Sequence, residues 1–295
     1  MKTAINILKS MRPIEALLKN GFVVSALIFG QKAQDTDAVS KIIAAYVVFW
    51  LVSCCVYIIN DLLDRKSDSK HPAKKSRPIA SGELGAGNAI FFVVVVLAAS
   101  LGYAAAFLPT FTIVVTVYLG LNIAYSLYLK HLVIVDAMVV ALGFLLRVYG
   151  GATAIGVAVQ PWLLVSTLLL ALLLAFTKRR HELALLGEEA AKAHRGVLSR
   201  YSVLFLDQII AVVTAATLIT YSLYTIEPET AAKFGTHKLP YTIPFVLYGI
   251  FRYLYLVYKK EGGGHVGRTL ITDIPLLVDI FLWGVSILFV IYIRP

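Results

Sequence analysis

Charge is scarce in this chain. Asp, Glu, Lys and Arg together make up 15% of its 295 residues, whereas hydrophobic residues make up 59%. A chain with so few polar side chains lacks the surface that a soluble globular protein needs to cover its core. Its mean hydropathy is +0.80, and its repeated apolar runs reach about 18 to 24 residues, the length that crosses a bilayer. We therefore predict membrane-spanning helices, which satisfy their own backbone groups inside lipid.

Cysteine is nearly absent as well. The two cysteines, Cys54 and Cys55, are adjacent and lie inside an apolar run. This placement argues against a disulfide framework or a cysteine metal site, and it predicts two packing residues. Residues 1–21 lack a short apolar core followed by a small-residue cleavage site, so we expect no removable signal peptide.

Apolar runs between polar breaks predict an all-α, polytopic membrane bundle of about nine helices, in one domain over residues 1–295. The first run is short, because Lys19 and Asn20 interrupt it. The predicted spans are residues 17–31, 39–60, 88–108, 110–129, 132–156, 160–178, 203–226, 240–258 and 274–293.

The 27 Lys and Arg residues are distributed unevenly between the two sides that these spans define. Twenty lie on the side of the N-terminus, five lie on the other side and two lie within spans. Cytoplasmic loops of membrane proteins are rich in Lys and Arg, so we place the richer side in the cytoplasm. The net charge of +10 then reflects topology and does not indicate nucleic-acid binding. We expect a multi-pass protein of the plasma (inner) membrane, with cytoplasmic active-site loops near residues 61–87, 178–200 and 259–273.

A strongly polar segment, NDLLDRKSDSKHPAKKSRPIASGEL at residues 60–84, begins inside the second predicted span. In a continuous helix, Asp61, Asp64 and Asp68 lie within an arc of about 60°. Carboxylates on one face suit Mg²⁺, which proteins hold with a few carboxylates together with substrate phosphates. Ionisable groups at membrane depth are costly and usually functional. This favours a metal site over the alternative, a solvated loop of mixed charge.

Cations follow these acids closely. The stretch HPAKKSRP at residues 71–78 places Lys74 and Arg77 on a stiffened backbone just after the aspartates. Lys and Arg bind phosphate oxygens that a metal leaves unneutralised. We therefore expect this segment to hold a diphosphate, with Asn60 helping at the metal.

The pattern NDxxDxxxD followed by HPxKxxRPIAxG resembles the first aspartate motif of the UbiA-type intramembrane prenyltransferases. The resemblance covers most of the chain. It implies a helical bundle around a central cavity open to the cytoplasm and to lipid, where a group leaves a Mg²⁺-bound diphosphate and attaches to an acceptor. It also implies that Asp61, Asp64 and Asp68 are the metal ligands and the catalytic residues.

The second polar segment departs from that superfamily, which has another aspartate-rich motif at this place. Residues 177–196 read TKRRHELALLGEEAAKAHRG. Lys178 and Glu182 are four residues apart and share a helix face, with Arg179 and Arg180 beside them. A cluster of cations suits a phosphate that has no metal of its own. The alternative is an anchor that only fixes topology.

This departure resembles the decaprenyl-phosphate phosphoribosyltransferase subgroup, as do YSLYLKH at 125–131 and GFLLRVYGGA at 143–152. The resemblance implies transfer of 5-phosphoribose from 5-phosphoribosyl diphosphate to a polyprenyl phosphate, towards a lipid-linked pentose precursor of the cell envelope. The main alternative is a UbiA-type prenyltransferase that moves a prenyl group from prenyl diphosphate to an aromatic or other acceptor. A non-catalytic transporter or lipid-binding protein is a third reading.

The resemblance implies roles for further residues. Lys130, Lys178 and Arg179 would steer the lipid phosphate, while Glu182 would orient these cations or a ribose hydroxyl.

Other assignments stay open at the level of the sequence. Lys19 and Asn20 match a donor-contacting pair of the family, or they are a lysine that extends to the membrane surface and a satisfied asparagine. Asp136 has Lys130 as a possible structural partner. The sequence gives no role for Arg147 or Asp273.

Overall fold

The computed structural model describes residues 2–70, 74–194, 197–259 and 272–293. Over these ranges the chain is helical, with 3₁₀ turns at Leu129–His131, Leu198–Arg200 and Leu239–Thr242 and no strand. The helices are α1 Lys2–Met11, α2 Pro13–Phe29, α3 Thr36–Leu63, α4 Arg65–Asp68, α5 Ala86–Phe107, α6 Pro109–Leu127, α7 Val135–Ile155, α8 Pro161–His194, α9 Val203–Ile226, α10 Pro228–Phe234, α11 Ile243–Lys259 and α12 Ile274–Tyr292.

Each predicted span overlaps one long helix. Seven of the described helices are long and apolar enough to cross a membrane: α3, α5, α6, α7, α8, α9 and α12. The two others, α2 and α11, are 17 residues each. The all-helical membrane fold is therefore confirmed, and nine spans stays a prediction.

Prolines mark several helix starts. Pro13, Pro109, Pro161 and Pro228 are the first residues of α2, α6, α8 and α10. Proline suits this position because the first N–H of a helix has no partner within the helix. These prolines, together with the polar breaks, explain why the predicted starts of these spans lie within a few residues of the observed helix starts.

The described chain divides into two compact units, and the prediction of one domain over 1–295 stays a prediction. The first unit contains Met1–Leu132 and Leu146–Ala158. Its central helix, α3, packs against α1, α2, α5 and α6. Phe49 and Phe111 are buried there with their ring centroids 5.7 Å apart. The glycine pair of GFLLRVYGGA has a packing reason, because a Cβ on Gly151 would lie 2.1 Å from the carbonyl oxygen of Val23.

The second unit contains Val133–Leu145 and Val159–Pro295. Its main contact is between α8 and α9, where Leu173, Leu206 and Ile210 belong to one buried cluster. Helix α8 continues to His194, well beyond the predicted span 160–178. Lys178 and Glu182 therefore lie on a helix and not in a loop.

Candidate active site

The acidic motif, which consists of Asp61, Asp64 and Asp68, lies where α3 ends. Helix α3 stops at Leu63, Asp64 takes φ −89° and ψ 4°, and α4 begins at Arg65. The prediction of one uninterrupted helix is therefore wrong at Asp64. Backbone hydrogen bonds still connect Asp64 N to Asn60 O at 2.9 Å and Asp68 N to Asp64 O at 2.8 Å. These two bonds connect α3 to α4 through Asp64, and Asp61 and Asp68 lie close enough to share Arg77.

Asp61 is buried, with 2% of its surface exposed. Its carboxylate accepts hydrogen bonds from Arg12 Nη2 at 2.6 and 2.9 Å and from Arg77 Nη1 at 3.0 Å. Arg12 has a left-handed backbone with φ 46°. Pro13 disfavours the right-handed helical conformation at the residue before it, and the ion pair with Asp61 compensates for the unusual backbone.

Asp68 is also buried and shares a partner with Asp61. Arg77 Nη1 lies 2.6 Å from Asp68 Oδ2, and Lys74 Nζ lies 3.8 Å from Asp68 Oδ1. Arg77 is held in place because the next side chains are anchored: Ile79 and Leu84 are fully buried, and Leu84 N donates to Pro78 O at 2.8 Å. One guanidinium nitrogen therefore lies within 3.0 Å of two carboxylates.

The third acid has a different partner. Asp64 Oδ1 accepts a hydrogen bond from Lys130 Nζ at 2.5 Å. Beside it, Asn60 Oδ1 accepts from Ser126 Oγ at 3.2 Å. Lys130, which the sequence suggested for the acceptor phosphate, thus lies at the acidic motif.

Asn20 is enclosed by the protein. It is fully buried, and its Oδ1 accepts from Arg147 Nε at 2.7 Å. Arg147 also donates to Tyr118 OH at 2.8 Å and to Ser53 Oγ at 3.4 Å. This network gives Arg147 the partners that the sequence did not show, and it agrees with the reading of Asn20 as a satisfied asparagine. Lys19 Nζ donates to Tyr57 OH at 2.9 Å.

In the second unit, the cations of KRRHEL have three different environments. Lys178 is half exposed and lies 3.9 Å from Glu182 Oε1. Arg180 Nε lies 2.5 Å from Asp207 Oδ1. Arg179 is almost fully buried, with 4% of its surface exposed.

Arg179 belongs to a closed polar network. Its Nε lies 2.6 Å from Asp136 Oδ2, and its Nη1 donates to Ala175 O at 2.8 Å. Tyr201 OH donates to Asp136 Oδ1 at 2.7 Å and accepts from Ile134 N at 2.6 Å. Burial, followed by the hydrogen bond to Asp136, raises the pKa of Tyr201, so its hydroxyl stays protonated and donates. The suggested pairing of Asp136 with Lys130 is therefore wrong, because a buried carboxylate takes the buried cation.

Asp273 caps a helix. Its carboxylate accepts from Arg252 Nε at 3.0 Å and Nη2 at 2.9 Å, and from Leu276 N at the start of α12 at 3.1 Å. This arrangement indicates a structural role.

The acidic motif can be tested for its fit to Mg²⁺. Within the described ranges no three acidic, His or Cys side chains form a metal cluster, and Asp61, Asp64 and Asp68 each pair with a basic side chain. Their donor atoms are all oxygen, which Mg²⁺ prefers. Asp61 and Asp68 already share one positive group, the guanidinium of Arg77. The three aspartates therefore fit a divalent cation in donor type, and Asp61 and Asp68 fit a shared one in proximity as well.

The comparisons with known proteins agree with this geometry. The sequence model of the UbiA prenyltransferase family matches residues 21–266. This chain belongs to the UbiA prenyltransferase family. Decaprenyl-phosphate phosphoribosyltransferase of Mycobacterium tuberculosis is 30% identical over 249 residues, which are 83% of this chain and 82% of that protein. The protein of the same name from Corynebacterium glutamicum is 29% identical over 306 residues, which are 99% of this chain and 88% of that one.

Solved structures show the same family fold. A UbiA homolog from Archaeoglobus fulgidus bound to GPP and Mg²⁺ has a TM-score of 0.71 at 20% identity, covering 97% of this chain and 99% of that chain. The match to the family model and the bacterial relatives together show that the chain is an enzyme of the UbiA family, and the acidic motif is its candidate active site.

Sequence reasoning missed one residue of this UbiA-family site. Arg12 is one of the twenty Lys and Arg residues on the side of the N-terminus, and it makes the two-oxygen contact with Asp61. One feature of the sequence sets Arg12 apart: it directly precedes Pro13, and a residue before proline disfavours the helical conformation.

Proposed function

We propose that this UbiA-family enzyme transfers 5-phosphoribose from 5-phosphoribosyl diphosphate to a polyprenyl phosphate, with Mg²⁺, and releases diphosphate. The observation that carries the proposal is the contrast between two clusters. The first unit has Asp61, Asp64 and Asp68 at a helix end, whereas residues 178–180 of the second unit are all cations. An acidic motif and an exposed cation, Lys178, match a metal-bound diphosphate donor and a monophosphate acceptor. The names of the bacterial relatives support this choice.

On the donor side, Asp61, Asp64 and Asp68 would hold Mg²⁺, with Asn60 helping. A metal held there would supply positive charge to the leaving diphosphate. Arg77 and Lys74 now contact Asp61 and Asp68, and in the proposed complex they turn to the diphosphate oxygens. These groups stabilise the negative charge that develops as the bond from ribose C1 to the diphosphate oxygen breaks.

On the acceptor side, an oxygen of the lipid phosphate forms the new bond to ribose C1. The phosphate is already an anion, so the reaction needs no general base. Lys178 is the most exposed cation of the KRRHEL cluster, and we assign it to this phosphate, while Glu182 orients Lys178. Since Arg179 is held by Asp136, we assign it chiefly to positioning the cytoplasmic end of α8.

The decisive experiment incubates the purified protein with Mg²⁺, labelled 5-phosphoribosyl diphosphate and polyprenyl phosphate, and then extracts the lipid. We expect label in the lipid, and none when the metal is chelated. Consumption of prenyl diphosphate with an aromatic acceptor, and no consumption of phosphoribosyl diphosphate, would establish the alternative prenyltransferase function.

We also propose that the acidic motif faces the cytoplasm, where a soluble sugar diphosphate is available, and that the product is a precursor of the cell envelope. The support for this orientation is the excess of Lys and Arg on the side of the N-terminus. Single cysteines introduced at Ser69 and at Glu83, both exposed, should react with an impermeant reagent only after the cells are opened. Labelling of either position from outside intact cells contradicts the orientation.

Lys178→Ala is expected to raise the KM for polyprenyl phosphate. Loss of a charge-assisted contact is worth about 1.5–3 kcal/mol, which corresponds to about a 10- to 150-fold effect. Steady-state kinetics with each substrate varied in turn will measure it, and the donor KM should change much less. Lys41→Ala is the matched control, because Lys41 forms the same type of i, i+4 pair, with Asp37. Wild-type lipid kinetics in Lys178→Ala would mean that the cluster is only a topological anchor.

A further inference from the structure

Helix α1 turns two polar side chains inward and two apolar side chains outward. Asn6 and Ser10 are buried, whereas Ile5 and Leu8 are exposed at 48% and 56%. A surface helix of a soluble protein has the opposite arrangement, because its apolar face packs against the core. The outward face of α1 therefore suits a lipid environment.

Contacts on the inner side fix the rotation of α1 about its axis. Asn6 Nδ2 donates a hydrogen bond to Glu83 O at 3.3 Å, and Met11 is buried. Arg12, which directly follows the helix, binds the carboxylate of Asp61 at the end of α3. Both ends of α1 are thus held by the first unit, so the direction of its outward face is a property of the fold.

The neighbours of α1 place it at membrane depth. Met11 belongs to one buried cluster with Cys55 and Ile58, which lie in α3, a helix long and apolar enough to cross a membrane. Trp50 Nε1 donates to Pro13 O at 3.0 Å, so α2 begins beside the interior of α3, about 20 Å before that helix ends. Helix α1 packs against α3 between this level and the acidic motif. Its outward face therefore meets the boundary between acyl chains and headgroups.

Two lysines share the outward side with the apolar residues. Lys2 and Lys9 are exposed and lie within about 60° of Ile5 around the helix. Lysines at a membrane boundary extend their charged ends towards the headgroups while their stems stay in apolar surroundings. Basic residues close to a membrane surface attract anionic lipids.

Acidic residues on the elements around α1 do not cancel these two charges. Glu15 of α2 interacts electrostatically with Lys19, four residues further along the same helix. Asp61 of α3 is bound by Arg12. Glu83 is then one acid beside two lysines, so the outward side of α1 keeps a net positive charge.

We propose that the outward face of α1 binds anionic phospholipid. Ile5 and Leu8 insert between the acyl chains, and Lys2 and Lys9 bind the phosphate groups of the headgroups. Each lysine near an anionic surface contributes about a five-fold preference for the bound state. The surface lies on the side of α1 that faces away from the rest of the unit, and it does not depend on which substrates the enzyme uses.

The test places a nitroxide spin label on Leu8→Cys or, as a control, on Thr3→Cys. Thr3 is exposed and lies about 140° from Leu8 around the helix. Cys54 and Cys55 are fully buried, and the unsubstituted protein treated with the label gives the background. In vesicles of phosphatidylcholine with phosphatidylglycerol, power-saturation EPR compares collisions with oxygen, which concentrates in lipid, and with a water-soluble nickel chelate. We expect the Leu8 label to collide mainly with oxygen and the Thr3 label mainly with the chelate.

The charge is tested by leaving out phosphatidylglycerol. Its presence should raise the ratio of lipid-inserted to water-exposed Leu8 label about five-fold for each lysine. The double variant Lys2→Gln, Lys9→Gln should lose this gain. Lys41→Gln, which changes an exposed lysine near the start of α3, is the matched control and should keep it.

Two results for the Leu8 label overturn the proposal. Equal access of the chelate to the Leu8 and Thr3 labels means that water covers the face, and shielding of the Leu8 label from both reagents means that protein covers it. An equal depth with and without phosphatidylglycerol, or a gain that survives in the double variant, overturns the binding of anionic headgroups by the lysines. If Leu8→Cys does not fold, Ile5→Cys gives the same comparison from the same face.

Discussion

Asp61→Asn is expected to lower turnover by about 10²- to 10³-fold, the typical effect of losing one group that stabilises charge in a transition state. Asp61 is buried and lies between Arg12 and Arg77. Its charge balances these two cations and supplies a ligand for the proposed metal. An amide has nearly the same shape but no charge, so both functions are weakened without a change in packing. Labelled transfer at saturating substrates measures the effect.

Asp37→Asn is the control for this variant. Asp37 is also an aspartate of α3, but it is exposed and pairs with Lys41 at the far end of the helix. An exposed pair of this kind contributes about 1 kcal/mol at most, so we expect normal turnover and stability. Size-exclusion chromatography in detergent verifies that Asp61→Asn remains folded. Turnover near the wild-type level in folded Asp61→Asn would exclude Asp61 as a metal ligand and catalytic residue.

The sequence predicted those parts of the site that are close in the chain. Asp61, Asp68, Lys74 and Arg77 lie within 17 residues, and the structure brings them into contact. Helical periodicity brings Asp61 and Asp68 to one side, and a short anchored turn returns Arg77 to them. Local rules suffice for such contacts.

Contacts between distant segments could not be predicted in this way. Arg147 and Asn20 are 127 residues apart, and Arg12 and Asp61 are 49 apart. Their meeting depends on how helices cross, and helix crossing depends on side-chain packing that periodicity does not report. The sequence does show that Arg147 needs a partner, because a charge at membrane depth is costly, but it does not show which one.

The same limit applies to neighbours in one motif. Arg179 and Arg180 follow each other in KRRHEL, yet a rotation of about 100° per residue sends them to different sides of α8. Arg179 meets Asp136 in the interior, whereas Arg180 meets Asp207, which is 34% exposed. The charges in the sequence therefore predicted one cationic cluster, whereas Lys178, Arg179 and Arg180 lie in three different environments in the structure.

Arg179→Met is expected to destabilise the protein strongly. It leaves the fully buried carboxylate of Asp136 with Tyr201 as its remaining side-chain partner. Removing one member of a buried ion pair typically costs about 3–5 kcal/mol, and each kcal/mol lowers the unfolding temperature of a chain of comparable size by about 2–4 °C. Thermal unfolding in detergent, followed by a fluorescence or aggregation signal, measures the loss.

A double-mutant cycle shows whether this loss comes from the ion pair. Asp136→Asn combined with Arg179→Met removes both charges, so the double variant should be less destabilised than the sum of the two single variants. Arg180→Met is the matched control on the adjacent residue, and it should cost clearly less because its pair with Asp207 is partly solvated. Equal losses for Arg179→Met and Arg180→Met, or additive effects in the cycle, would contradict the buried pair. A raised KM for the lipid in a fully stable Arg179→Met protein would instead return Arg179 to the acceptor site.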